Sequence, residues 1–299
     1  MDAPPADLRH ALAVEPVRGR AGVYHGHLDG AWSFRLPSGG VLCSVALSAM
    51  REALGRPELV PASATATFCS AVPEGTVEIE VVVLRMGKTA AQLRAQVRSL
   101  ADGASGESAK EVGFEVGATF VVPRELAEAE TTSWLPYPDE LPPFESCPTH
   151  APSRDGGEGV VPPAFYRNLI VRRAKGDVWW SKTWAPAEPR VARYYEYRVP
   201  PIVAGALDPL ALPPIADTMA TAVHQGVGSK QPPMIFPSLD LTLHFVAPVG
   251  LSAEPILVDA RGTAIFGGTA SASANLWQGR RLVMVATQTM TLRTLKATR

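Results

Sequence analysis

The order of two patterns constrains this chain more than any other feature. A long apolar run, Ile202 to Val227, has helical spacing, and from Ser238 onward apolar and polar residues alternate. In Leu239-Asp240-Leu241-Thr242-Leu243-His244-Phe245 every second side chain is leucine or phenylalanine. That is the period of a strand with one buried face. Pro237 opens it, where a missing N–H does least harm. Three more extended runs follow, Pro255 to Arg261, Thr263 to Trp277 and Arg281 to Leu292. Gly267-Gly268 reads as a bulge bending the middle one, and Gln278-Gly279-Arg280 as a hairpin turn. Prolines at 209, 213 and 214 interrupt the helical run. Its firm part is expected near Pro214, because proline fits the first turn of a helix.

The same order occurs earlier in the chain. Val23 to Leu28 reads as a strand, and Asp29-Gly30 as a turn. Trp32 to Gly40 then leads into Val41 to Leu54, an apolar helix with Ser38 placed as its cap. Strands are expected over Ala64 to Ala71, Thr76 to Arg85, Thr89 to Leu100 and Lys110 to Val122, with a Gly/Ser-rich hairpin end at Ala101 to Ser108. A lone long helix buries its apolar surface only against the sheet that follows it. Two such units in tandem predict an α+β protein with two curled antiparallel sheets, each wrapped around a long helix. The first lobe would span residues 1–122 and the second 164–299. Prolines crowd the intervening 123–163, a linker because proline blocks both helix and ladder. Trp134, Tyr137 and Phe144 would pin it to a surface, and Asp155-Gly156-Gly157-Glu158-Gly159 would be its most mobile part. Trp179-Trp180, Trp184, Tyr194, Tyr195 and Tyr197 form an aromatic group read as core or interface.

Composition bounds the function. Apolar residues make up 46 % of the 299, charged residues 19 %, and the net charge is −1. Nothing there steers the chain toward nucleic acid or an anionic membrane. No apolar run reaches membrane-spanning length, and Met1-Asp2-Ala3-Pro4-Pro5 does not begin a signal peptide. Ala297-Thr298-Arg299 is not a peroxisomal address. A cytoplasmic protein is the expectation. Cys43, Cys69 and Cys147 are too few and too irregularly spaced for a disulfide framework or a metal site. Cys43 and Cys69 lie in apolar runs and read as small buried hydrophobes. His25 and His27 alone make a poor metal site, and no phosphate-binding or dinucleotide fingerprint is present. No metal and no cofactor are expected.

The residues also carry a resemblance. Trp32-x4-Pro37-x-Gly39-Gly40, then Phe68 to Gly75, then Val81 to Gly87, resembles the first half of the acyl-CoA thioesterase II-like family. Ser238-Leu239-Asp240-x4-Phe245 resembles a strand of its second half, and Leu276-Trp277-x3-Arg281-Leu282-Val283 through Gln288 its final hairpin. The resemblance covers about 270 residues and implies a double-hotdog fold. It implies a small-molecule acyl thioester of the CoA type as substrate, no cofactor, and a homodimer or higher assembly. In that family an Asp, a Thr or Ser and a Gln orient a water at the thioester carbon. Residue by residue, these roles fall on Asp217, Ser238 and Gln288. The chain departs from the pattern where Gln288-Thr289-Met290 replaces a Gln-Glu-Gly ending. It departs again where Leu241 and Val246 stand in place of histidines.

The chemistry is consistent with those residue types. Thioester hydrolysis needs a held water, a proton acceptor and stabilisation of an oxyanion. A carboxylate can act as the base, and a hydroxyl and an amide, each donor and acceptor, can fix the direction of the water. Gly39-Gly40 at a helix N-terminus is a candidate substrate-binding site, since the missing Cβ lets a carbonyl approach the backbone and the dipole favours negative charge. No Gly-x-Ser-x-Gly elbow is present, which favours direct water attack over an acyl-enzyme. Each residue alone has a commoner structural use: helix acid, strand start, outward polar residue, turn. Their joint order makes the site. Two alternatives stay open: a biosynthetic tailoring enzyme acting on a polyketide-like or aromatic (thio)ester, and a catalytically silent acyl-binding protein.

Overall fold

A computed structural model describes residues 4–100, 111–124, 133–149, 163–176, 185–229 and 234–294. In the first half, β1 (Val14–Pro16) and β2 (Val23–Leu28) precede a helix, α1 (Gly39–Leu54). Then come β3 (Val60–Phe68), β4 (Gly75–Met86), β5 (Ala90–Ser99) and β6 (Phe114–Val121). The second half repeats the order. β7 (Leu169–Lys175) and β8 (Arg190–Tyr197) precede α2 (Leu212–Ala216) and α3 (Ala220–Val227). β9 (Asp240–Phe245), β10 (Ile256–Phe266), β11 (Thr269–Gln278) and β12 (Arg281–Thr291) follow.

The expectation of two separate sheets needs correction. These twelve strands form one antiparallel sheet in the order β1-β2-β4-β5-β6-β3-β9-β12-β11-β10-β8-β7, and among the described residues four two-residue strands pair outside it. The order is symmetric about its middle. β3 and β9, the first strand of this sheet after the helix in each half, pair there with Thr65 opposite Thr242 and Thr67 opposite Asp240. Each would otherwise be an exposed edge with unpaired N–H and C=O groups, and pairing them removes both edges at once.

The helices also differ from expectation. α1 is one unbroken helix in which every residue from Gly40 to Met50 is buried. Its counterpart is not one long helix. A 3-10 turn over Pro209–Ala211 leads into α2, and a second over Asp217–Met219 separates α2 from α3. Pro213 and Pro214 supply no N–H for continuous i→i−4 bonding and fit only the first turn, so the helix starts tightly and in pieces. α1 and α2 lie against each other. A Cβ on Gly40 would collide with the backbone carbonyl of Pro213. Ser44 Oγ donates to Leu210 O at 2.8 Å, and Arg51 Nη1 to the buried Asp208 Oδ2 at 2.8 Å. One apolar core runs through both halves, from Leu47 and Met50 to Leu243 and Met284.

Smaller expectations shift for local reasons. Gly267 and Gly268, at φ 58° and 82°, form the two-residue turn between β10 and β11. Glycine pairs accept positive φ at both centres of a hairpin turn. The bulge lies instead between Gly262 and Ala264. Cys69 is exposed, since it follows the end of β3, whereas Cys43 and Cys147 are buried. Tyr137 packs edge-on against Trp277 and Phe144 against Tyr194, which holds residues 133–149 to the sheet face lined by Leu257 and Leu282. Trp134, expected to help, is 94 % exposed. Tyr195 and Tyr197 are core residues, donating to Thr218 Oγ1 at 2.9 Å and to Ala211 O at 2.7 Å. Trp179, Trp180, Trp184, the Asp155–Gly159 stretch and the Ala101–Ser108 hairpin end lie outside the described residues.

Candidate functional site

Asp217 stands where the second-half helix breaks, in the 3-10 turn between α2 and α3, and is 8 % exposed. Donors meet both oxygens of its carboxylate. Oδ2 accepts from Ser38 Oγ at 2.9 Å and from the Gly40 N–H at 3.1 Å. Oδ1 accepts from Gln288 Nε2 at 2.8 Å. The same nitrogen lies 2.7 Å from Ser238 Oγ. The three residues expected to act together therefore meet at one amide nitrogen, although 21 and 50 residues separate them along the chain in turn.

Each arrives by a different route. Gln288 projects inward from β12 and is 2 % exposed. Ser238 precedes β9 and bridges Met290. The buried row of β9 does not include Leu239, which is 39 % exposed, and begins at Leu241. At Asp240 the carboxylate accepts the Thr289 N–H at 2.9 Å. A side chain substitutes there for a ladder carbonyl. This irregularity breaks the alternation between Ser238 and Leu241 and turns Ser238 toward Gln288. Thr242, in contrast, faces Thr65 across the central strand pair, and His244 is exposed.

The first half supplies the opposite wall. Ser38, Gly39 and Gly40 form the start of α1. A Cβ on Gly39 would lie 2.5 Å from Phe68 Cζ and 3.4 Å from Asp217 Oδ1. A side chain at position 39 would therefore displace the Phe68 ring and sit in van der Waals contact with the Asp217 carboxylate. Phe68, at the end of β3, tilts against Phe114 with ring centroids 5.1 Å apart, and its N–H donates to Leu239 O. Two contacts here had no sequence signal. Ser38 reads as a cap for its own helix, yet its hydroxyl goes to an acid 179 residues away. The ring of Phe68 shows in the sequence only as part of a turn motif.

The electrostatics follow from burial. Loss of water pushes the Asp217 carboxyl above the usual carboxylate range, opposed by donation from Gly40, Ser38, Gln288 and Gly39. Burial, with the Asp217 charge added, pushes the Cys43 thiol on α1 far above its ordinary range, so Cys43 is not a thiolate nucleophile. Both Gln288 N–H groups are directed at acceptors. Its carbonyl oxygen Oε1 is buried without a protein partner. Such an oxygen costs free energy unless a donor meets it. Carboxylate, amide oxygen and hydroxyl together can hold one water in a fixed orientation and accept its proton. Among the described residues, no group of three or more His, Cys, Asp or Glu side chains could hold a metal ion. Among them, too, no helix is long and apolar enough to cross a membrane.

Comparison with known proteins follows the same two halves. The acyl-CoA thioesterase N-terminal domain matches residues 28–121, and the acyl-CoA thioesterase C-terminal domain matches residues 138–292. A search of curated proteins gave no match. Among solved structures, a hotdog-fold protein from Alicyclobacillus acidocaldarius is 20 % identical, covering 97 % of this chain and 98 % of that one, with a TM-score of 0.74. The acyl-CoA thioesterase II TesB2 from Mycobacterium marinum is 18 % identical, covering 97 % and 99 %, with a TM-score of 0.67. The tesB protein from Mycobacterium avium subs paratuberculosis is 18 % identical, covering 96 % and 98 %, with a TM-score of 0.66. At these identities the solved structures speak for the hotdog fold. With both family domains matched in order over most of its length, the chain belongs to the acyl-CoA thioesterase family.

Proposed function

We propose that this chain hydrolyses an acyl-CoA-type thioester by direct attack of water, with Asp217, Ser238 and Gln288 orienting that water. The observation that carries the reading is the Gln288 side chain. Its amide nitrogen joins Asp217 and Ser238, and its buried oxygen has no protein partner. A water donating to Gln288 Oε1 and to Asp217 would present a lone pair to the thioester carbon. Asp217 takes the proton as the C–O bond forms. The tetrahedral intermediate then collapses, the C–S bond breaks, and the leaving sulfur takes the proton held by Asp217 and departs as the thiol. Burial makes Asp217 a stronger base than a solvated carboxylate, which suits that role. The Gly39-Gly40 turn is the substrate-binding side. With the Gly40 N–H already given to Asp217, it offers the developing oxyanion the positive end of the α1 dipole. The acyl chain would enter between helices and sheet, leaving the CoA portion outside.

Release of free thiol from acyl-CoAs of graded chain length tests this. Asp217→Ala and Gln288→Ala are each expected to lower kcat/KM by about 10²- to 10⁴-fold. The double variant should be little worse than either, because residues acting as one unit are not additive. An active double variant would overturn the assignment.

A further inference from the structure

We infer that Ser38 is a positioning residue for Asp217, so that the water site is complete only when the start of α1, from the first half, is docked on the second. The inference rests on the thioesterase reading above and extends it to the half that carries none of Asp217, Ser238 and Gln288.

Ser38 occupies the N-cap position of α1, with φ −55° and ψ 135°. A serine there ordinarily turns its hydroxyl oxygen to the N–H two or three residues on, satisfying one of the open donors of the first turn. This one makes no such bond. It is 1 % exposed, and its hydroxyl donates to Asp217 Oδ2 at 2.9 Å. The Gly40 N–H, one of the open donors, reaches the same oxygen at 3.1 Å. The acid of the second half thus caps the helix of the first, and Ser38 is released to hold the acid.

The geometry divides the carboxylate. Two donors from the first half fix Oδ2, while Oδ1 faces Gln288 and the space in front of its amide. A carboxylate anchored at one oxygen by two donors in different directions cannot rotate about its Cβ–Cγ bond without losing one of them. Ser38 therefore sets which oxygen acts as base and in what plane. A cap that merely stabilised the helix would do neither.

The titratable group facing Asp217 from α1 is Cys43, held neutral by burial. Ser38, Gly40 and Gln288 do not titrate. The acid limb of the rate profile therefore reports Asp217. Donation from Ser38 favours its ionised form, so removing the hydroxyl moves that limb to higher pH.

The test is kcat/KM against pH for thiol release from an acyl-CoA, measured on the full chain as wild type, Ser38→Ala, Ser38→Thr, Asp217→Asn and the Ser38→Ala/Asp217→Asn double variant, with thermal melting of each. Loss of a hydrogen bond to a charged group predicts a fall of about tenfold or more in Ser38→Ala, with the acid limb displaced upward. Threonine, which keeps the hydroxyl, should restore both rate and limb. In the Asp217→Asn background, Ser38→Ala should cost nothing further. A lowered melting temperature in Ser38→Ala with an unmoved pH profile would make Ser38 a structural cap and overturn the inference. In that case an inactive Asp217→Asn would leave the thioesterase reading standing. A fully active Asp217→Asn would remove both.

Discussion

At the scale of single residues, the site is built from close approaches that differ in what they tolerate. Gly40 and Gly39 look alike in the sequence but face different obstacles. A Cβ on Gly40 meets the backbone of Pro213, and backbone cannot give way, so Gly40→Ala must push α1 and α2 apart. We expect a loss of about 2–4 kcal/mol in unfolding free energy by denaturant titration, in the range of severe overpacking. A Cβ on Gly39 meets the far end of the Phe68 ring, which can turn. Gly39→Ala should therefore cost less stability and more activity, since the added methyl lies beside Asp217 Oδ1. The sequence suggested Asp217, Ser238 and Gln288 through their order and their resemblance to a family pattern. It could not show that Ser38 serves Asp217 rather than its own helix. Residue type and position favour a cap equally in both cases, and the partner lies 179 residues away.

At the scale of elements, alternation and apolar runs made most strands and α1 legible, because burial of one face leaves its period in the sequence. What escaped depended on backbone angles. A glycine pair looks the same in a bulge and in a hairpin, and only the positive φ at both Gly267 and Gly268 distinguishes them. The fracture of the second helix at Asp217–Met219 was likewise hidden, because Ile215 to Val227 contains nothing that forbids a continuous helix. α3 carries a measurable consequence of its own. His224 packs against Phe236 with ring centroids 4.0 Å apart. Burial, with the Arg193 charge second, lowers its pKa from 6.5 to about 4. The fold thus favours neutral imidazole. Its contribution to stability is present above pH 6.5 and is lost as pH falls through 6.5 toward about 4. Melting temperature should decline across that window, and His224→Gln, which cannot ionise, should flatten the decline. An equal slope in both proteins would exclude His224 as the cause.

At the scale of the whole molecule, the β3–β9 pair turns two similar halves into one sheet. Which strand edges meet is not written in the period of either strand, so tandem units were visible and their fusion was not. The halves are alike in topology and unlike in chemistry. At the end of β9 beside β12 lie Ser238 and Gln288, whereas the matching end of β3 beside β6 carries buried Pro61 opposite Phe120. The helix of the first half offers no carboxylate in the place of Asp217; its one acid, Glu52, lies in the last turn. Active-site counting by tight-binding inhibitor or burst amplitude should therefore return one site per chain; a value of two would contradict this asymmetry. The shared sheet also has a genetic meaning. A half with no acid of its own at that place would ordinarily be free to vary at its helix start. Here the first half cannot, because its helix start is wedged against the other half's carboxylate. Its residues 38–40 remain tied to a carboxylate encoded some 180 codons downstream.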